Sequence, residues 1–140
     1  MKRLLTVILG VLFVALGYQS AQAADTGTIS GTITGAGNAG LANGYVYAYS
    51  FDNAGSSMGY GYTDASGNYT MSNLPSGRYR VQFGASNYTS EYWDNVKTSS
   101  SATAVVVTAG QTTPNISARL DANPTINGTV TDANGNRLQG

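Results

Sequence analysis

Between Thr63 and Val81 the sequence places two turn signals close together, with apolar residues at alternating positions around them. Asp64-Ala65-Ser66-Gly67 is the first. The Asp64 carboxylate can accept a bond from a backbone N–H two residues on, and Gly67 can take the positive φ that closes such a turn. Leu74-Pro75-Ser76-Gly77 reads as the same device, with Pro75 presetting φ and Gly77 taking the left-handed position. Tyr69, Met71, Leu74, Tyr79 and Val81 are the apolar anchors of the intervening strands. This is strand, turn, strand, turn, strand, and it leaves no room for a helix. Such a stretch is stable only as part of a sheet with one buried face.

The rest of the chain keeps the same period. Ile29, Gly31 and Ile33 share one face of Thr28–Thr34, and Gly35–Asn43 is a Gly- and Asn-rich loop from which Leu41 tucks inward. Gly44–Phe51 has two different faces, Val46 and Ala48 on one and Tyr45, Tyr47 and Tyr49 on the other. Met58–Thr63 alternates as Gly59-Tyr60-Gly61-Tyr62, and Tyr79, Val81 and Phe83 alternate with Arg78, Arg80 and Gln82. Val105-Val106-Val107 reads as a short, fully buried strand, and Ile116, Ala118 and Leu120 alternate in a last one. Seven short strands at close spacing, with turn signals between them, predict an all-β antiparallel sandwich.

Composition narrows the function classes. Charged residues make up 10% of the chain, against about a quarter in an average domain. The ten Tyr and eighteen Gly suit half-exposed strands and tight turns rather than a disordered chain. With no Cys and no His, disulfides, thiolate or imidazole metal sites and a Ser-His-Asp relay are all excluded. No cofactor is expected, and the fold must rest on its core alone.

Residues 1–23 have the pattern of a secretory signal peptide: Lys2 and Arg3, the apolar run Leu4–Leu16, then Ala21-Gln22-Ala23 at the cleavage position. The apolar run is shorter than the roughly 20 residues a bilayer span needs. Cleavage after Ala23 leaves no membrane span in the mature chain, which is expected to be secreted or held at the cell surface. Without Lys2 and Arg3, five basic residues face seven acidic ones, which argues against nucleic acid or anionic lipid as partner.

A repeat begins near the end. Thr125-Ile126-Asn127-Gly128-Thr129-Val130-Thr131 matches Thr28-Ile29-Ser30-Gly31-Thr32-Ile33-Thr34 at an offset of 97, and Leu138 falls on Leu41 at the same offset. The expected organisation is a signal peptide at 1–23, a β-sandwich at 24–122, and a linker with the first strand of a truncated second repeat at 123–140. Neighbouring repeats of the same chain are then partners of this unit.

Gly31-Thr32-Ile33-Thr34, Leu41-Ala42, Thr63–Tyr69 and Leu74–Val81 together resemble the carboxypeptidase regulatory-like domain. The resemblance covers roughly residues 27–120 and again 125–140. It implies a transthyretin-like, seven-stranded Greek-key sandwich of the kind that recurs in tandem in bacterial secreted and surface proteins. The fold neighbourhood includes starch-binding-like modules, so carbohydrate binding is one implied activity. The peptidase activity of the enzymes that carry this domain does not transfer, because the zinc ligands it needs include His. Similar adhesin repeats often carry a Lys–Asn crosslink beside a buried acid. Lys97, the only Lys beyond the leader, sits in a polar loop and is not expected to form one.

Two clusters remain as candidate ligand sites. Tyr45, Tyr47 and Tyr49, with Tyr60 and Tyr62 on a neighbouring strand, form an aromatic row able to stack on sugar rings or to meet another extracellular protein domain. Tyr92 and Trp93 lie in an irregular segment with Tyr88, Glu91, Asp94 and Asn95, suited either to ligand contact or to capping the sandwich. Glu91 and Asp94 form the one close acid pair, without the cleft signals that catalysis needs. Asp64 and Asp132 head turns and lack the several oxygen ligands of a calcium loop. Asp64, Gly67, Tyr69, Leu74, Pro75, Gly77, Tyr79 and Val81 are assigned to turns and core. Asn-x-Ser/Thr sequons occur at Asn68, Asn87, Asn115 and Asn127. The reading is a non-catalytic secreted or surface module of a tandem array, acting as spacer, adhesion or interaction unit. Its alternatives are a carbohydrate-binding module and an accessory domain of a larger secreted peptidase.

Overall fold

The alternating strands pair into two sheets that face each other across one core. A computed structural model describes residues 25–53 and 56–138, so the signal peptide read at 1–23 lies outside the described residues. The strands are β1 (Thr26–Thr34), β2 (Tyr45–Ser50), β3 (Ser57–Tyr62), β4 (Asn68–Pro75), β5 (Gly77–Gly84), β6 (Glu91–Tyr92), β7 (Val105–Val107), β8 (Thr112–Thr113) and β9 (Ala118–Arg119). Short 3-10 turns occupy Ala36–Asn38 and Ser99–Ser101.

In the first sheet β1 is central, with β4 antiparallel on one side and β8 and β9 parallel on the other. The second runs β3-β2-β5 in antiparallel pairs, and β6 and β7 share the far edge of β5. The sandwich is therefore all-β as expected, but one edge is parallel. The chain crosses from β7 in one sheet to β8 and β9 in the other, and so reaches β1 running in its own direction. That crossing passes against Gly27, where a Cβ would overlap the Thr108 carbonyl, and the link from β8 to β9 passes as closely against Gly31, at the Ile116 carbonyl. Val106 corrects the reading of a fully buried β7, because it is 57% exposed between buried Val105 and Val107.

Both sheets feed one core, built from Ile29, Ile33, Tyr69, Met71 and Leu74 on one side and Val46, Ala48, Tyr79, Val81 and Phe83 on the other. Full burial of each large apolar side chain stabilises the fold by about 1.5–3 kcal/mol. Tyr69 meets Phe83 edge to face at 6.0 Å between centroids, and its hydroxyl donates to the Ile116 carbonyl at 2.5 Å. Burial pushes the Tyr69 phenol well above the usual tyrosine range. The Tyr79 hydroxyl likewise donates to the Pro75 carbonyl, at 2.6 Å.

The Asp64 turn forms as its sequence dictates. Asp64 Oδ1 accepts from the backbone N–H groups of Ser66 at 2.8 Å and Asn68 at 2.9 Å, and Gly67 has φ +82°. These bonds, those from Asn68 first, hold the Asp64 carboxyl below its usual range. The second turn is built differently. Gly77 does not adopt positive φ; the left-handed residue is Asn73, at φ +61°. Gly27 and Ile29 of β1 pair with Leu74 and Met71 of β4, so β4 carries an extra residue at this point. Asn73 sits in the resulting bulge, which keeps Met71 and Leu74 on the same buried face despite their odd spacing.

After Pro124 a backbone pattern returns. In the turn after β1 Gly35 N–H donates to Ala39 O (2.8 Å), Asn38 N–H to Gly35 O (3.2 Å) and Leu41 N–H to Ile33 O (2.9 Å). At the offset of 97, Asp132 N–H donates to Asn136 O (2.9 Å), Gly135 N–H to Asp132 O (3.0 Å) and Leu138 N–H to Val130 O (3.0 Å). The bridge between Thr34 and Gly40 recurs as Thr131 with Arg137. The side chains fare differently. Ile29 and Ile33 are fully buried, whereas Ile126 is 99% and Val130 69% exposed.

Candidate functional site

β2 has a period of two, so Val46 and Ala48 enter the core while Tyr45, Tyr47 and Tyr49 line the opposite, outward face. Pairing fixes what lies beside them. Tyr45 is opposite Tyr62 and Tyr47 opposite Tyr60 on β3. On the other flank Tyr45 is opposite Gly84, Tyr47 opposite Gln82 and Tyr49 opposite Arg80, and Gln82 in turn is opposite Tyr92 of β6. One sheet face thus gathers Tyr45, Tyr47, Tyr49, Tyr60, Tyr62 and Tyr92. Ring centroids along β2 are 5.5 and 6.0 Å apart, and Tyr60 and Tyr62 stand edge to face at 6.2 Å. The Tyr45 ring crosses directly above Gly84, where a Cβ would overlap it. Tyr49 is pushed above the usual tyrosine range, by burial first and then by the neighbouring phenols Tyr92, Tyr47 and Tyr45.

Charge at this face is kept to one margin. The Arg80 guanidinium lies 4.3 Å from the centroid of the Phe51 ring and donates to the Ser50 carbonyl at 3.1 Å. Arg78 also approaches Phe51, at 5.1 Å, and pairs with Asp52. The β2 and β3 tyrosines follow from sequence alternation. Gln82, Gly84 and Tyr92 join them only through β5 and β6, and Phe51 was not foreseen as the seat for Arg80.

The second cluster divides between the two faces. Tyr92 belongs to the tyrosine face, whereas Trp93 packs partly buried against the core. Glu91 is opposite Phe83 and is 2% exposed. Its Oε2 accepts from Lys97 Nζ at 2.7 Å, and Lys97 also reaches Asp121 Oδ2 at 3.5 Å. Lys97 is therefore more than a polar-loop residue: it neutralises a buried acid. The Glu91 hydrogen bond, the largest influence, holds its ammonium above the usual lysine range. An amine held in its charged form is not an activated nucleophile. Asp94 is exposed and accepts from Thr103 Oγ1 at 3.3 Å, so of the two acids only Glu91 is tied up by a cation. Contrary to the sequence reading, the pair does have a cleft: Glu91 and Asp94 both line a shallow one, with Trp93, Asn95, Arg119 and Asp121. Among the described residues no group of three His, Cys, Asp or Glu side chains converges as a metal site requires. Asp64 and Asp132 spend their carboxylates on their own turns.

Two facing sheets, a crossing between them and a turn-rich edge define a β-sandwich module. The profile of the carboxypeptidase regulatory-like domain matches residues 28–121. The chain belongs to that family. No curated protein matches it in sequence. Among solved structures it is similar to the TIE protein of Bacillus anthracis, with 17% identity and a TM-score of 0.50 over 69% of this chain. It is also similar to GBS52, the minor pilin of the Gram-positive pathogen Streptococcus agalactiae, with 18% identity and a TM-score of 0.51 over 76% of this chain. The chain spans 16% of the first and 48% of the second. At such identities the likeness is one of fold. Among the described residues no helix is long and apolar enough to cross a membrane.

Proposed function

We propose that this protein is an exported, non-catalytic β-sandwich module of a tandem array, serving as a structural spacer and contact unit at the cell surface. The observation that carries this reading is the return, 97 residues on, of three backbone hydrogen bonds and one bridge of the β1 turn. A turn that recurs at the length of one domain, after a sequence that matches β1, supports reading 125–138 as the start of a second copy. The link between the copies is short and held. Thr89 N–H donates to Asp121 O and Asn123 N–H to Asn87 O, both at 2.8 Å, and Pro124 follows at once. The sequence of residues 1–23 supports export. Glu91, the one buried acid among the described residues, is engaged by Lys97, and with no His or Cys the chain offers no conventional catalytic relay. The fold's presence in a minor pilin accords with a surface role.

A chain carrying residues 28–124 twice in succession tests the spacer reading. Small-angle scattering should show two compact bodies about 30 Å apart, the diameter expected of a domain this size. A second copy that fails to fold would overturn it. Export is tested by expressing the full chain with a C-terminal epitope. Recovery outside the cytoplasm with Ala24 as the first residue is expected, and retention inside, uncleaved, would contradict it.

A further inference from the structure

We infer that the outer face of β3-β2-β5-β6 binds an uncharged polysaccharide laid across the strands. Tyr60, Tyr47, Gln82 and Tyr92 are successive partners across four strands. At about 4.8 Å per strand this row is about 14 Å long, the scale of a short oligosaccharide. Tyr62 and Tyr45 form a second row beside it, with the Tyr45 ring lying over Gly84. Rings lying along a sheet offer π faces to the C–H faces of sugar rings, and their hydroxyls, with the Gln82 amide, meet sugar hydroxyls.

Charge decides the class of ligand. Along the two rows the rings are interrupted by an amide and a glycine rather than a charged group; beyond them Arg78 pairs with Asp52, and Arg80, opposite Tyr49, lies over Phe51 and donates to the Ser50 carbonyl. A strongly charged polymer finds no counter-charge along these two rows, with Arg80 one row away beside Tyr49, whereas a neutral polyhydroxyl chain loses nothing by meeting them. The face is also open. Tyr60 is 67% and Tyr62 61% exposed.

The test is electrophoresis of the full chain through gels containing soluble mixed-linkage β-glucan, glucomannan or xyloglucan, with the polyanion alginate as control. At least one neutral polymer should retard the protein and alginate should not. Tyr47→Ala and Tyr60→Ala should each weaken retardation by at least about tenfold, the loss of one ring contact. Both variants should keep a cooperative melt, and Trp93→Phe should bind as the parent does. Absence of retardation by all three neutral polymers, or equal retardation by alginate, would overturn the inference. So would a concentration-dependent dimer that Tyr60→Ala abolishes, which would assign the face to a second copy of this chain. Such a failure would leave the spacer reading standing, because that rests on the repeat.

Discussion

Val46 and Tyr47 are neighbours on β2 and occupy opposite environments. Val46 is fully buried, paired across the sheet with Phe83 and Gly61, while half-exposed Tyr47 is paired with Gln82 and Tyr60. On the inner face residue type is dictated by volume, because neighbours from both sheets close around each side chain. The outer face has no such dictate, yet it carries six tyrosines where polar residues would serve solubility better. A contiguous exposed aromatic patch calls for a contact to explain it. The fold is written on one side of the sheet, and the other side is free to carry function.

The strongest way to break this contrast is to place side chains where the inner face has no room. Gly67→Val puts a β-branched residue at φ +82° with its Cβ 2.5 Å from the Ile33 carbonyl oxygen. It should cost about 3–5 kcal/mol and abolish the cooperative melt at ordinary temperature. Gly77→Val meets only the Tyr79 ring, at 3.8 Å, and should stay within about 1 kcal/mol of the parent. Equal damage from both would show that the second turn needs its glycine after all.

Tyr69→Phe sharpens the contrast among tyrosines. It keeps the buried ring but strands the Ile116 carbonyl, and chemical denaturation should show a loss of about 1–2 kcal/mol. The same change at Tyr60, exposed on the outer face, should leave stability unaltered within error.

Glu91 is the charged exception on the inner side, and Lys97 is its remedy. Lys97→Met leaves the Glu91 carboxylate buried without its cation; because Lys97 is itself half-exposed, solvent tempers the loss, which should be about 2–3 kcal/mol at neutral pH. The folded state raises the Lys97 pKa, so this contribution is complete below the usual lysine value and lost as pH rises through the folded value. Melting temperatures measured from about pH 9 to 12 should fall more steeply for the parent than for Lys97→Met. Parallel curves would show that the ion pair contributes nothing.

What the sequence disclosed divides along the range of the interactions. The Asp64 turn was legible because its bonds close within five residues, Asp64 to Asn68, and the same local logic builds the Asp132 turn even where Ile126 and Val130 remain exposed. The tyrosine rows of β2 and β3 were legible from alternation and a short connection. Gly77 was misjudged because the left-handed residue is placed at Asn73 by the pairing of β4 with β1, a contact distant in sequence. The parallel edge of β1 was hidden for the same reason, since β8 and β9 arrive from the other end of the domain. Lys97 and Glu91, the only Lys beyond the leader and the only Glu, carried a compositional signal. Their meeting depends on which face β6 presents, and Asp121 joins them from a remote segment.

Thermal unfolding of Val46→Asp beside Tyr47→Asp shows whether the two faces of one strand divide fold from contact. Val46→Asp buries an unpaired carboxylate and should leave no cooperative transition at 25 °C. Tyr47→Asp loses only ring contacts at the surface and should keep a cooperative melt, lowered by no more than about 15 °C. If Tyr47→Asp also proved unfolded, the tyrosine face would be part of what holds the sandwich together, and the division would be wrong.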